Sequence, residues 1–76
     1  FKLYIYNSIN QTLEFSILDK EEIYVGILSI NGVFIQNFQK INRSFSSIDI
    51  KYLKDGIYII GIIRNGKIDS IKFLKQ

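Results

Sequence analysis

A chain of 76 residues, 47% of them apolar, suffices for one folded domain and is too hydrophobic for a disordered tail. It contains no cysteine and no histidine, which excludes a disulfide framework, thiolate metal sites and the usual general base of hydrolases; a non-enzymatic module without cofactor or metal is expected. The net charge of +3 is uneven: residues 1–39 carry two lysines against four acids, or −2, and residues 40–76 carry eight Lys/Arg against three acids, or +5. A basic half can attract anionic partners, although mixed signs usually mark a solvated surface.

In chain order, Phe1 to Tyr6 lacks the basic start and long apolar stretch of a signal peptide, so an export signal of the parent protein would lie upstream. A first strand is expected near residues 2–6. The alternation Thr12-Leu13-Glu14-Phe15-Ser16-Ile17 predicts a second near 12–18, with Leu13, Phe15 and Ile17 inward and Glu14 and Ser16 toward water. Asp19-Lys20-Glu21-Glu22 reads as a solvated loop, since it lacks the ligand spacing of a calcium site. Strands near 23–30 and 33–39 flank Asn31-Gly32, and Asn42-Arg43-Ser44 forms the next loop. A short strand near 46–50 precedes the turn Lys54-Asp55-Gly56, and strands near 57–64 and 67–75 flank Asn65-Gly66. The longest apolar run, Ile57 to Ile63, falls far short of the ~20 residues of a membrane-spanning helix. Short strands of β-branched and aromatic residues, with turns at regular spacing, predict a single all-β domain, a sandwich or barrel of about seven strands.

Both Asn-Gly pairs suit two-residue turns, which need positive φ at their central residues. At Asn65-Gly66 the register then sets Arg64 opposite Lys67, Ile60 opposite Ile71 and Tyr58 opposite Phe73 on one face. The other face collects Ile57, Ile59, Ile63, Ile68 and Leu74 around Gly61, Ser70 and Lys72. Both faces are apolar, and one that meets water would be a docking surface. The same logic at Asn31-Gly32 places Val25, Ile27, Phe34 and Phe38 on one face and Leu28, Ile30, Val33 and Ile35 on the other, unless a bulge intervenes.

Several segments resemble the C-terminal sorting domain, type A, of proteins exported by the type IX (Por) secretion system of Bacteroidetes. Ile5-Tyr6-Asn7-Ser8-Ile9-Asn10-Gln11-Thr12-Leu13-Glu14-Phe15 is similar to the family's aromatic, Asn/Pro loop and alternating strand. Val25 to Ile35 resembles its strand, Asn-Gly turn and returning strand. Ile48-Asp49-Ile50-Lys51-Tyr52-Leu53-Lys54-Asp55-Gly56-Ile57-Tyr58 resembles its most recognisable segment, and Asn65-Gly66-Lys67 with Lys72-Phe73-Leu74-Lys75-Gln76 its terminal hairpin and basic end. The chain departs from the pattern where Asn7-Ser8-Ile9 lacks proline and where Val33 replaces a frequent arginine. The resemblance implies an immunoglobulin-like antiparallel β-sandwich and a cargo domain upstream in the same polypeptide. It also implies export to the outer membrane, cell surface or medium through three partners: the translocon, an outer-membrane shuttle protein and a surface sortase.

On this reading Asn31, Gly32, Asp49, Asn65 and Gly66 serve turns, with Asp49 capping the one that follows it. Partner recognition falls to Gly56, Ile57, Tyr58, Ile59, Ile63, Lys67, Ile68, Lys72, Leu74 and Lys75. Tyr58 is expected in the core with its hydroxyl bonded to a neighbouring loop. Lys67, Lys72 and Lys75 are expected in solvent, the last two flanking the apolar face. An immunoglobulin-like spacer or glycan-binding domain is the alternative. A basic nucleic-acid-binding barrel is disfavoured, because most Phe and Tyr residues alternate inward.

Overall fold

The computed structural model describes residues 4–16, 22–42 and 46–76. Seven strands form two antiparallel sheets: β1 (Tyr4–Asn7), β2 (Thr12–Phe15), β3 (Ile23–Ser29), β4 (Phe34–Ile41), β5 (Ser47–Asp49), β6 (Gly56–Arg64) and β7 (Lys67–Lys75). One sheet has the order β1-β2-β5 and the other β4-β3-β6-β7. The fold is the all-β sandwich expected, consistent with an immunoglobulin-like arrangement.

Alternation builds the core. Leu13, Phe15, Ile48, Ile50 and Leu53 come from the smaller sheet and the segment after it; Ile23, Val25, Ile27, Ile41, Ile60, Ile62 and Phe73 face them from the larger sheet, and all are buried. Tyr6, Tyr58 and Ile71 pack against this cluster. Burying a side chain of this size contributes about 1.5–3 kcal/mol, so the twelve core residues among those described contribute strongly to folding. The expectation for Ile17 lies outside the described residues, as do Asp19, Lys20, Glu21, Arg43 and Ser44.

The β1–β2 connection is held without proline. Asn7 Oδ1 accepts from the amides of Ile9 at 3.1 Å and Asn10 at 3.0 Å, while its Nδ2 donates to Glu14 Oε2 at 3.0 Å. These bonds do the stiffening that prolines would otherwise provide.

The two Asn-Gly turns differ. Asn65 and Gly66 both have positive φ, 51° and 78°, and Arg64 pairs with Lys67, so this is the expected two-residue turn. At Asn31-Gly32 the amide of Ser29 donates to Val33 O at 2.8 Å and that of Gly32 to Ser29 O at 2.9 Å. The loop therefore has three residues, Ile30 to Gly32, with only Gly32 at positive φ, 84°. This corrects the two-residue expectation and is the alternative hairpin that a glycine in the last loop position permits.

Two irregularities follow in β4. Between the pairs Val25–Gln39 and Ile27–Gln36, three steps along β4 match two along β3, and between Ile27–Gln36 and Leu28–Phe34 two match one. Each bulge inserts an unpaired residue and turns the side chains after it. Phe34 consequently stands opposite Leu28, and Phe38 lies against Gly26 and Gly61. Neither phenylalanine shares the inward face of Val25 and Ile27, and Ile35 is displaced from the position opposite Leu28.

Candidate functional site

The outer face of the four-stranded sheet is built in rows. Phe34, Leu28, Ile59 and Lys72 form one, each paired with the next across the strands, and Tyr24, Ile63 and Ile68 form another with Lys40 beside Tyr24. Between them runs a trough of small residues, Gly26, Gly61 and Ser70. The Phe38 ring fills part of it: a Cβ on Gly61 would stand 3.0 Å from Phe38 Cζ, and one on Gly26 would stand 3.3 Å from Phe38 Cδ1. Phe34 meets Phe38 edge to face at 5.6 Å between ring centres, a favoured aromatic geometry. The bulges of β4 thus bring two aromatic rings onto a face whose middle is lined by two glycines and a serine.

Toward the end of the sheet that carries the β3–β4 turn, Ile57 pairs with Leu74. Ile57 is 50% exposed, Leu74 51%, Ile68 74% and Phe34 48%. Large apolar side chains gathered on one exposed sheet face mark an interaction surface more often than isolated ones do. Two cations border it, Lys72 within the first row and Lys40 beside Tyr24. Lys40 lies 3.8 Å from Glu22 with both side chains exposed, a pair worth little in water.

The register of the final hairpin is the expected one throughout: Tyr58–Phe73, Ile60–Ile71 and Arg64–Lys67 all pair. Alternation then divides the ten residues expected to meet partners. Ile57, Ile59, Ile63, Ile68, Lys72 and Leu74 share the outer face. Gly56, Tyr58, Lys67 and Lys75 belong to the opposite side, that of Ile60 and Phe73.

Tyr58 stacks against Phe73 at 5.7 Å and donates its hydroxyl to Lys54 O at 2.6 Å, so it packs at the core margin and fastens the turn before β6. Gly56 opens β6 at φ 152° and pairs with Lys75. Asp49 Oδ1 accepts from the amide of Lys51 at 2.9 Å, the cap expected of it. Lys67 and Lys72 are exposed.

Lys75 departs from expectation. It is 4% exposed, and its ammonium donates to Leu53 O and, at 3.4 Å, to Lys51 O. It therefore does not lie in solvent beside the apolar face. Its position two residues after Phe73 put it on the inward side of β7, where the aliphatic stem packs and the charge must find backbone oxygens. That parity was present in the sequence and would have located it. Tyr6 adds a second fastening at the same end, donating its hydroxyl to Gln76 O at 3.0 Å. Together they tie the end of β7 to the β5–β6 connection and to β1.

Tyr52, also missed, donates its hydroxyl to Gln36 Oε1 at 2.8 Å and so bridges the β5–β6 connection to β4. Partial burial of this largely exposed residue, and then the nearby Asp49 carboxylate, push its phenol above the ordinary value of 10.0.

Residues 5–76 match a family described as the secretion system C-terminal sorting domain. No curated protein matches the chain, and no solved structure does. A match from Ile5 to the last residue, on a seven-stranded sandwich, shows that the chain belongs to the C-terminal sorting domain family of the type IX secretion system.

Proposed function

We propose that this domain is the address that carries a cargo protein, joined to it in the same polypeptide, through the type IX system to the cell surface. The domain acts by being bound and catalyses nothing itself. The translocon, an outer-membrane shuttle protein and a surface sortase are its partners, and they read the outer face of the four-stranded sheet. The observation that carries this reading is the exposure of Phe34, Ile57, Ile68 and Leu74 on the strands that the family match covers. A stable domain gains nothing from leaving four such side chains in water, whereas a partner that covers them recovers about 25 cal/mol for each Å² of apolar surface buried.

The test is to place lysine at Ile57, Ile68 and Leu74, singly and together, in a cargo fusion expressed in a type IX-competent bacterium. These exposed positions accept lysine without loss of the core, so the variants should fold and remain in the periplasm. Surface delivery of the folded triple variant at the wild-type level would refute recognition through this face.

A further inference from the structure

A sheet has two edges, and the four edges of this sandwich differ. Among the described residues β1 has four and β5 three, while β4 is bulged twice; short and bulged edges resist pairing with another chain. β7 has nine residues, pairs with β6 in unbroken register, and among the described residues has no strand on its other side. The chain contains no proline that could block this edge.

The tight turn at Asn65-Gly66 fixes which backbone groups are free. Arg64 and Lys67 close it as a hydrogen-bonded pair, so alternate residues from Lys67 to Lys75 bond to β6. The amides and carbonyls of Ile68, Ser70, Lys72 and Leu74 point to the open edge. The side chains of these same four residues lie on the outer face, where all four are exposed. A strand laid along β7 would thus extend both the backbone ladder and the apolar rows.

We propose that the secretion machinery docks by adding one of its own extended strands to the free edge of β7. This rests on the sorting reading above and says how the partner engages. The incoming strand would be apolar where it meets Ile68 and Leu74, small or polar at Ser70, and acidic at Lys72, since cross-strand neighbours favour like burial and opposite charge. Lys75 and Gln76 hold the far end of β7 in place, so the template is rigid before the partner arrives.

The experiment places proline in the cargo fusion at Ser70 and, separately, at Lys72. A proline there removes an outward amide and blocks an added strand, yet breaks no bond to β6. Both variants should retain a cooperative melt and a β-rich circular dichroism spectrum, and surface reporter should fall at least tenfold with accumulation in the periplasm. Ser70→Ala, which keeps the amide, should export at least tenfold more than Ser70→Pro. Folded proline variants that reach the surface at the wild-type level would overturn the proposal. Global unfolding of both would overturn it too, by removing the premise that this edge takes proline without disturbing the domain. A dimer in sedimentation that either proline dissolves, with export unchanged, would assign the edge to a second copy of the chain. Failure of the unmodified fusion to leave the periplasm is a separate result, which would remove the sorting reading and the docking mode with it.

Discussion

Lys75 offers the sharpest check on how the C-terminal strand is held. Replacing it with methionine keeps the apolar stem and removes the ammonium, leaving Leu53 O inside the protein without its donor. Lys51 O, on an exposed residue, can bind water instead. An orphaned buried acceptor costs about 1–3 kcal/mol, and no compensating bond to the smaller sheet is gained. For a domain of this size that corresponds to a fall in Tm of roughly 5–20 °C. Lys75→Ala should lose about 2 kcal/mol more, because three buried methylenes go as well. Urea denaturation followed by circular dichroism measures both, with Lys72→Met as the exposed control, expected within about 0.5 kcal/mol of wild type. Equal stabilities for Lys75→Met and Lys72→Met would refute the claim that the ammonium fastens β7 to the β5–β6 connection.

Other consequences follow from named contacts. Gly26→Ala would bring its Cβ to 3.1 Å from Gln36 O and 3.2 Å from Phe38 N, both backbone atoms, so it should destabilise by about 1–3 kcal/mol in a urea titration. The three atoms nearest a Cβ at Gly61 belong to the Phe38 and Leu28 side chains, and pairing Gly61→Ala with Phe38→Ala should relieve its clash while leaving that of Gly26→Ala in place. Gly66→Ala, at φ 78°, should cost about 1–2 kcal/mol, whereas Asn31→Ala should cost less, because Asn31 has no positive φ. The raised phenol of Tyr52 means that the folded state holds this proton more tightly than the unfolded chain. The stability it contributes is complete below pH 10 and is lost as pH rises through the folded value; Tyr52→Phe should flatten that loss in melts taken across the alkaline range.

The seven strands and the terminal hairpin were legible because period-two alternation and a turn with two positive-φ residues leave little freedom in register. Ile60, Tyr58, Ile71 and Phe73 met as parity requires. The β3–β4 hairpin was less legible. An Asn-Gly pair is compatible with two-residue and three-residue loops, and the bulges in β4 have no fixed sequence signal, so alternation alone puts Phe34 and Phe38 on the wrong face. Lys75 departs from its expected place for a different reason. A terminal lysine suggests solvent, but alternation from Phe73 outweighs that when backbone carbonyls stand within reach of the ammonium. The division of the ten recognition residues between two faces could likewise have been taken from the register. That β7 lies at the edge of its sheet among the described residues could not, because strand order depends on which strand β6 finds beyond its own hairpin, and that partner is β3.

Transfer of the address tests the whole account at once. Residues 1–76 fused to the end of a periplasmic reporter, in cells with a working type IX system, should bring that reporter within reach of protease added outside intact cells. A fusion that folds, stays intact and remains shielded behind the outer membrane would contradict the claim that this sandwich alone carries the signal.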